Sequence, residues 1–425
     1  MDCTQNEKIN QVTETTLVIG MDIAKRTHYA SLIDVRGRVL QKAFPVLQSK
    51  EGFEAFYQII LNAMKEYQKT DVIVGIEPTG HYWLNLAYFL TERGIPLVMV
   101  NPMHVKRSKE LDDNLQTKHD AKDALVIARL VKDGRFSYPR ILAGVEAELR
   151  VGATLRNQLV EERSAIKNKL IRWLDRYFPE FMQVFPSFGK TALAALWCTP
   201  FPGDVISKTT EELLHDYRQV EGVKAPQKHK IIQLAHVALD SIGVTEGLEM
   251  ARIEIATLVR RYRQLEHEIQ ELMSQLTNLA KTSVEYEWLS TVPGIGDTTI
   301  IELLSEIGSF SYYQHPRQLI KLAGLTLREH SSGQHSGQKR ISKRGRRHLR
   351  ALLFRVMMPM VRCNEAFRQL HVYYTTRAKN PLRKKQSMVV LCGKLLKILY
   401  ALSTKQVAFD AQRVLTDIPS LEGAI

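Results

Sequence analysis

The chain has few cysteines. Its 425 residues contain four of them, Cys3, Cys198, Cys363 and Cys392, and they lie far apart. Because no Cys-x-x-Cys pair occurs, the sequence argues against a cysteine zinc site and against a disulfide framework. It also lacks an apolar run that we expect to span a bilayer, and its polar start lacks the apolar core of a signal peptide. We therefore expect a cytosolic protein with reduced cysteines and no membrane partner.

A nucleotide-binding P-loop is missing as well. Gly189-Lys190-Thr191 matches the end of that motif, but the glycine that should begin it would stand at position 184, where the chain has Val184. The P-loop needs this glycine to wrap its backbone amides around phosphates. The sequence therefore predicts no site for a nucleoside triphosphate.

What the sequence has in excess is positive charge. The formal net charge is +14 and the pI is about 9.5. Such an excess favours a polyanionic partner, either nucleic acid or an acidic membrane surface. Since no membrane segment is expected, nucleic acid is the better partner. The length suggests two or three domains.

Residues 1–143 predict an α/β domain. Apolar, β-rich runs at 16–22, 28–34 and 39–46 predict an antiparallel meander. Beyond it the pattern predicts a helix, a buried strand, a second helix, a fifth strand and a last helix, at 52–67, 72–76, 82–93, 96–100 and 117–130. Three strands followed by helix, strand, helix, strand and helix is the element order of the ribonuclease-H-like fold.

Four carboxylates stand at notable positions in this predicted domain. Asp22 ends the first strand, Glu77 ends the fourth, and Asp120 and Asp123 share one face of the last helix. Ligands of open α/β sheets bind at strand ends, and clustered like charges need cations to neutralise them. We therefore predict a site for two Mg²⁺ ions that clamp a phosphodiester. The alternative for the helical pair alone is a solvated acidic first turn that favours the helix dipole.

Residues 144–284 predict a helical arm. Apolar residues from Ile255 to Leu279 alternate spacings of three and four, which is a heptad seam, and Leu155 to Trp173 follow helical spacing too. An insertion at about 179–247 is helical and punctuated by prolines. We expect an antiparallel coiled-coil arm through which the protein self-associates; packing within one chain only is the alternative.

Residues 285–425 predict a mainly α-helical domain with three notable stretches. A Pro-Gly-Ile-Gly turn before a helix resembles a helix-hairpin-helix element, whose amides at Gly294 and Gly296 would face a phosphate; a simple helix corner is the alternative. A polar loop rich in glycine and serine follows at 323–337. It leads into a basic run that predicts a phosphate-backbone clamp, or alternatively a solvated face, and contains Lys339, Arg340, Lys343, Arg344, Arg346 and Arg347.

Taken together, the motifs resemble the transposases of the insertion sequence 110 family, also called DEDD transposases or bridge-RNA-guided serine recombinases. The resemblance covers nearly the whole chain. It rests on Gly20-Met21-Asp22, Gly75-Ile76-Glu77-Pro78-Thr79-Gly80, Asn101-Pro102, Lys118-His119-Asp120-Ala121-Lys122-Asp123-Ala124, Pro293-Gly294-Ile295-Gly296, Ala323-Gly324-Leu325, Ser332-Gly333 and Ile341-Ser342-Lys343-Arg344-Gly345.

The resemblance implies a RuvC-like nuclease domain joined to a serine-bearing transposase domain. It places the acidic, Mg²⁺-binding quartet at Asp22, Glu77, Asp120 and Asp123, and the nucleophile at Ser332. It further implies a covalent phosphoserine–DNA link, strand exchange between double-stranded donor and target DNA, and guidance by a structured non-coding bridge RNA. A homo-oligomer, a dimer that assembles to a tetramer, and a place at the bacterial nucleoid in the cytoplasm are implied as well.

Some alternatives stay open at this point. Ser331 and Ser336 neighbour Ser332 and are alternative nucleophiles. The chain could instead be a metal-dependent Holliday-junction nuclease in which water attacks, and a protein–DNA adduct that survives denaturation would distinguish the two. A nucleic-acid-binding protein with a decayed site is the third possibility, against which the intact quartet and serine argue.

Overall fold

The computed structural model describes residues 5–112, 120–328, 331–332, 335–336 and 340–416. At positions 110–112, 120–121, 331–332 and 335–336 the backbone alone is described. The chain divides into two compact units, Met1–Leu142 and Ala143–Ile425.

The first unit contains a six-stranded sheet with the order β3-β2-β1-β4-β5-β6. Strands β1, β2 and β3 form an antiparallel meander, β4 and β5 continue from β1 in parallel, and β6 is antiparallel to β5. The strands are β1 (Thr16–Asp22), β2 (Thr27–Ile33), β3 (Val39–Leu47), β4 (Asp71–Glu77), β5 (Leu97–Val100) and β6 (Phe136–Ser137). The predicted α/β class of this part is confirmed.

Helices cover both faces of the sheet. In β1, Leu17, Ile19 and Met21 pack with the apolar residues of α2 and α3, whereas Val18 packs with those of α5 on the opposite face. The alternation follows from the period of two along a strand. The helices are α1 (Gln5–Asn10), α2 (Lys50–Glu66), α3 (Trp83–Glu92), α4 (Pro102–Asp112) and α5 (Asp120–Lys132).

Helices α1 and α4 and strand β6 were not in the predicted order. Helix α4 is mostly polar and contributes Val105 to the core, so it lacks the apolar periodicity that marks a helix in a sequence. Strand β6 has two residues, too few for alternation to show. Residues 117–119 of the predicted last helix lie outside the described residues.

The second unit begins with the arm, built from α6 (Gly144–Tyr177) and α12 (Leu248–Ala280). The helices are antiparallel: Gly152 faces Leu276 near one end, and Arg176 pairs with Glu254 at 3.1 Å near the other. The apolar seam of α12 is therefore filled by α6 of the same chain. Self-association through other faces of the arm stays a prediction.

The insertion between the arm helices forms its own apolar cluster at one end of the arm. Trp173 of α6 is buried in it and donates from Nε1 to the Ala251 carbonyl at 3.0 Å. The insertion consists of α7 (Phe181–Val184), α8 (Lys190–Cys198), α9 (Pro202–Ile206), α10 (Thr210–Gln219) and α11 (Lys228–Leu239).

In the part of the chain that the structure describes, the rest of the second unit is helical apart from four short strands. Its elements are α13 (Val284–Ser290), α14 (Asp297–Ile307), a 3-10 turn at Phe310–Tyr312, α15 (Pro316–Leu322), β7 (Leu327–Arg328), β8 (Ser331–Ser332), β9 (His335–Ser336), β10 (Arg340–Ile341), α16 (Arg347–Cys363), α17 (Glu365–Thr376), α18 (Lys384–Lys405) and α19 (Ala411–Leu415). The predicted mainly helical character is confirmed.

Helix α14 lies at the centre of this part. Its buried Glu302 carboxylate binds Arg156 of α6 at 2.7 Å and also Arg355 of α16. Apolar residues of α6 and α12, among them Leu149 and Leu276, join the same core cluster. Thus the arm and the last predicted domain share one core, and a division between them near residue 284 stays a prediction.

Among the described residues, helix α18 is long and apolar enough to cross a membrane by length and composition. The expectation that the chain has no such run is therefore wrong on those two criteria. Core helices of folded domains pass the same test, and Leu391, Leu395 and Leu399 of α18 are buried in the core cluster around α14.

Candidate active site

Asp22 and Glu77 are brought together by the sheet. They are the last residues of the neighbouring parallel strands β1 and β4, and the strand register pairs them directly. Neighbouring strands lie about 4.8 Å apart, so the two carboxylates project from adjacent positions at one edge of the sheet. Both belong to the face that α5 covers, because they stand two residues beyond Gly20 and Gly75.

Two glycines allow α5 to approach this face closely. Gly20 and Gly75 are also register partners. A Cβ on Gly20 would lie 2.1 Å from the Ala124 carbonyl oxygen and 2.2 Å from the Ala128 nitrogen, so the backbone of α5 rests directly on β1. Since Ala124 follows Asp123, this contact carries the third acid to the strand ends.

The electrostatics of the site show that Glu77 and Asp123 are near neighbours. Burial raises the pKa of Glu77; the nearby Lys109 ammonium lowers this pKa and the Asp123 carboxylate raises it further. Asp123 is buried, and its Oδ2 forms an ion pair with Lys109 Nζ from α4. Lys109 was not among the residues predicted from the sequence.

Asp120 is the first residue of α5, three positions before Asp123 and hence on the same helix face. Its side chain lies outside the described atoms. Among the side chains that are described, no three acids or histidines are grouped closely enough to hold a metal ion. The oxygen donors nevertheless suit Mg²⁺, which prefers carboxylates, and a cation already lies at Asp123 in the form of Lys109.

A partly buried hydrogen-bonded chain holds the two segments that follow the acidic strand ends. His28 Nδ1 accepts from the Ala24 amide at 3.2 Å, and its Nε2 bonds Gln48 Oε1. Gln48 Nε2 in turn donates to the Tyr82 carbonyl at 3.0 Å. Burial lowers the pKa of His28, which fits a neutral ring. Sequence reasoning missed this chain, because a single histidine in an apolar run gives no signal of its partners.

Ser332 lies in the second unit, in a short antiparallel ladder. Strands β8 and β9 pair Ser331 with Ser336 and Ser332 with His335. The prediction of an irregular loop is thus wrong for these residues, and the reason is that two-residue strands are too short to show alternation. Gly333 and Lys339 lie outside the described residues.

Strands β7 and β10 precede and follow the Ser332 segment in the chain, and they form a hairpin base together with two of the motifs named above. Strand β7 pairs with β10, and beyond it the Ser342 amide donates to the Thr326 carbonyl at 2.7 Å and the Lys343 amide to the Gly324 carbonyl at 3.0 Å. Gly345 has a φ of +153°, and a Cβ there would lie 2.4 Å from a backbone carbonyl oxygen. The motif glycines therefore permit close backbone contact.

The predicted basic clamp divides into two groups. Arg340, Lys343, Arg344 and Arg347 are exposed. Arg346 is half-buried and its Nη1 lies 3.3 Å from Glu306 Oε2 of α14. The next arginine along, Arg350, donates to the carbonyls of Ala323 and Lys343 at 3.0 and 3.2 Å. Arg350 thus binds the base of the hairpin, whereas Arg346 binds α14.

The Pro-Gly-Ile-Gly turn joins α13 to α14. Gly294 has a φ of +95°, which favours glycine, and Gly296 is the N-cap of α14 with open space around it. The first helical residue, Asp297, accepts a hydrogen bond from the Tyr286 hydroxyl at 2.7 Å. Burial, and after it this hydrogen bond, raise the pKa of Tyr286 to about 12. A carboxylate therefore stands beside the predicted phosphate-binding amides, whose role stays a prediction.

Comparison with known proteins gives consistent matches along the chain. A family model for the DEDD type of IS110, described as "Transposase", matches residues 19–179, and a model described as "Transposase IS116/IS110/IS902 family" matches residues 286–372. The chain is 25% identical over 399 residues to a pilin gene-inverting protein of Moraxella lacunata, covering 92% of this chain and 97% of that protein. It is 22% identical over 321 residues to the transposase for insertion sequence element IS1111A of Coxiella burnetii, covering 74% and 72%.

Proposed function

Because the chain belongs to the IS110 family of transposases, we propose that it cuts and rejoins double-stranded DNA with Ser332 as the nucleophile. In this proposal the first unit is a ribonuclease-H-like, RuvC-like nuclease domain. The sheet order, in which a three-stranded meander is followed by two parallel strands, supports it. The observation that carries the proposal is the direct pairing of Asp22 and Glu77 at parallel strand ends, next to the helix that bears Asp123.

The acids would hold Mg²⁺ through Asp22, Glu77, Asp120 and Asp123. When bound, the ion supplies electrostatic stabilisation of the charge that develops on a phosphodiester during its displacement. The half-buried setting of Glu77 and the burial of Asp123 exclude part of the water around the carboxylates, which strengthens every charge interaction there.

The proposed chemistry at the serine is a transesterification. The Ser332 Oγ attacks phosphorus and loses its proton, an Oγ–P bond forms, and the P–O bond to one DNA end breaks and leaves a hydroxyl. The reverse reaction with the hydroxyl of another strand restores the serine. Since each step exchanges one phosphoester for another, rejoining needs no ATP, which agrees with the missing P-loop glycine at Val184.

Nucleic acid binding is the second part of the proposal. We expect donor and target DNA and a structured non-coding bridge RNA as partners, acting in the cytoplasm at the nucleoid. The net charge of +14 and the exposed side chains of Lys343, Arg344 and Arg347 support a phosphate-binding surface. A homo-oligomer, a dimer that assembles to a tetramer, completes the proposal.

The decisive experiment is detection of a covalent adduct between the full chain and a labelled DNA substrate after denaturation, with Mg²⁺ and the copurified RNA present. Wild type and Ser331→Ala should form it, whereas Ser332→Ala should bind nucleic acid but form none. If Ser332→Ala still forms the adduct, Ser331 or Ser336 becomes the nucleophile. Cleavage by wild type without any adduct would support a nuclease that uses water.

A mixing experiment tests whether serine and acids act together across protomers. Ser332→Ala protein and Asp120→Ala protein should each fail to recombine DNA. If the serine of one protomer works with the acids of another, their mixture should regain part of the activity, because some assemblies contain one intact set. A site completed within one chain predicts no recovery.

A further inference from the structure

The acidic site contains a cation of the protein's own. Lys109 extends from α4 to Asp123, where its Nζ pairs with the carboxylate; the lysine side chain is 37% exposed and that of Asp123 is 11% exposed. The same ammonium acts on Glu77. Lys109 thus pairs with one of the acids that are proposed to hold Mg²⁺ and lowers the pKa of a second.

The position of Lys109 is fixed by the start of its helix. The Asn101 side chain accepts from the Met103 amide at 2.9 Å, and Pro102 follows it as the first residue of α4. Asn at the cap and Pro at the first helical position are the preferred arrangement. Val105 of α4 is buried in the core with residues of α5. The capped and packed helix therefore fixes the position of Lys109, which lies about two turns after the cap.

From this geometry we propose that Lys109 is a positioning residue that takes the place of a metal ion at Asp123 and leaves it when Mg²⁺ binds. The inference rests on the proposed metal site. Carboxylates that converge need a neutralising cation, and in the absence of metal Lys109 provides one. The acids are thereby kept in their folded arrangement, and Mg²⁺ must compete with a tethered ammonium. The lysine lowers the affinity of the site for Mg²⁺. When the metal is absent, it reduces the repulsion between the carboxylates and so keeps the site folded.

A merely structural ion pair would behave differently. It would stabilise α4 against α5 both with and without Mg²⁺, so its removal would lower the melting temperature equally in the two conditions. Competition predicts instead that removal of the lysine charge lowers the melting temperature without Mg²⁺, and that Mg²⁺ largely restores it. The two readings therefore differ in a quantity that can be measured without DNA.

The experiment is a Mg²⁺ titration of the full-length protein, without nucleic acid, by calorimetry and by thermal melting. Lys109→Met should bind Mg²⁺ roughly three- to tenfold more tightly than wild type, and Mg²⁺ should raise its melting temperature by more. Lys109→Arg, which keeps the charge, should bind Mg²⁺ no more tightly than wild type. Lys106→Met, an exposed position on the same helix, is the matched control and should match wild type. Lys109→Gln replaces Lys109→Met if the latter does not fold.

Two failures are distinguishable. If wild type and Asp123→Asn respond identically to Mg²⁺, the proposed metal site itself is wrong. If Asp123→Asn loses the response but Lys109→Met and Lys109→Gln bind Mg²⁺ with the wild-type affinity, or more weakly, the role given to Lys109 is overturned and the metal site stands.

Discussion

The backbone contact between β1 and α5 at Gly20 gives the sharpest prediction. Gly20→Ala adds one methyl group, and that carbon would lie 2.1 Å from the Ala124 carbonyl oxygen and 2.2 Å from the Ala128 nitrogen. Ordinary contact begins at 3.4 Å, so α5 must move away from β1 by about 1.3 Å. Both clashing atoms belong to the backbone, and no rotamer change can relieve them.

The expected magnitude follows from that shift. Overpacking of a core costs about 1–3 kcal/mol, and a contact with helix backbone belongs at the upper end, so the free energy of unfolding should fall by about 3 kcal/mol. Asp123 moves with α5, and a displacement of about 1 Å in a reacting group can cost on the order of 100-fold in rate. We therefore expect Mg²⁺-dependent DNA cleavage by Gly20→Ala to fall about 100-fold at a temperature where the protein is folded.

Gly75 provides the matched control. A Cβ there would lie 2.1 Å from Val131 Cγ2, the end of a side chain. Gly75→Ala should be less harmful, and the double variant Gly75→Ala/Val131→Ala should regain most of the stability and cleavage. Cleavage rates and urea unfolding of the three variants decide the matter. If Gly20→Ala cleaves DNA and resists unfolding as well as wild type, the close contact of α5 with Gly20 is not what positions Asp123.

Three further predictions concern the hairpin base and the charges. Gly345→Ala should lower the melting temperature, whereas Gly203→Ala, which meets open space, should not. Burial raises the pKa of Glu77 above 4.5. The folded, metal-free protein therefore keeps a proton that the unfolded chain has lost, and its stability falls as pH rises from about 4.5 through the raised pKa. Urea unfolding in EDTA should show a flatter dependence of stability on pH for Glu77→Gln than for wild type. Lys343→Gln should reduce the slope of log binding constant against log salt by about 0.9, whereas Arg346→Gln, whose arginine is paired with a glutamate, should lower stability and leave the slope unchanged.

The strand ends of the first unit could be predicted from the sequence because the signals there are local. Thr16–Asp22 and Asp71–Glu77 are apolar, β-rich runs that end in an acid, and strand ends of α/β sheets are where ligands bind. The assignment of Asp22, Glu77, Asp120 and Asp123 to one metal site stays a prediction, because the Asp120 side chain is outside the described atoms.

Other features depend on partners that no local pattern reveals. The heptad seam of α12 indicated that an apolar partner exists, but it could not say whether α6 of the same chain or another protomer supplies it. Lys109 stands in a polar helix and looks like a solvated charge until the fold brings Asp123 to it. The ladder of Ser332 with His335 is too short to alternate.

The spacing between glycine and acid connects packing to chemistry. In Gly20-Met21-Asp22 and in Gly75-Ile76-Glu77 the acid follows the glycine by two residues, and therefore both lie on the face that α5 covers. The residue between them turns to the opposite face, where Met21 and Ile76 are fully buried. If the strand shifted by one residue, the carboxylate would be buried in the apolar core and the glycine would no longer face α5. The two-residue spacing thus does two things. The glycine allows the helix to approach the strand, and the acid two residues later lies at the sheet edge next to Asp123 of that helix.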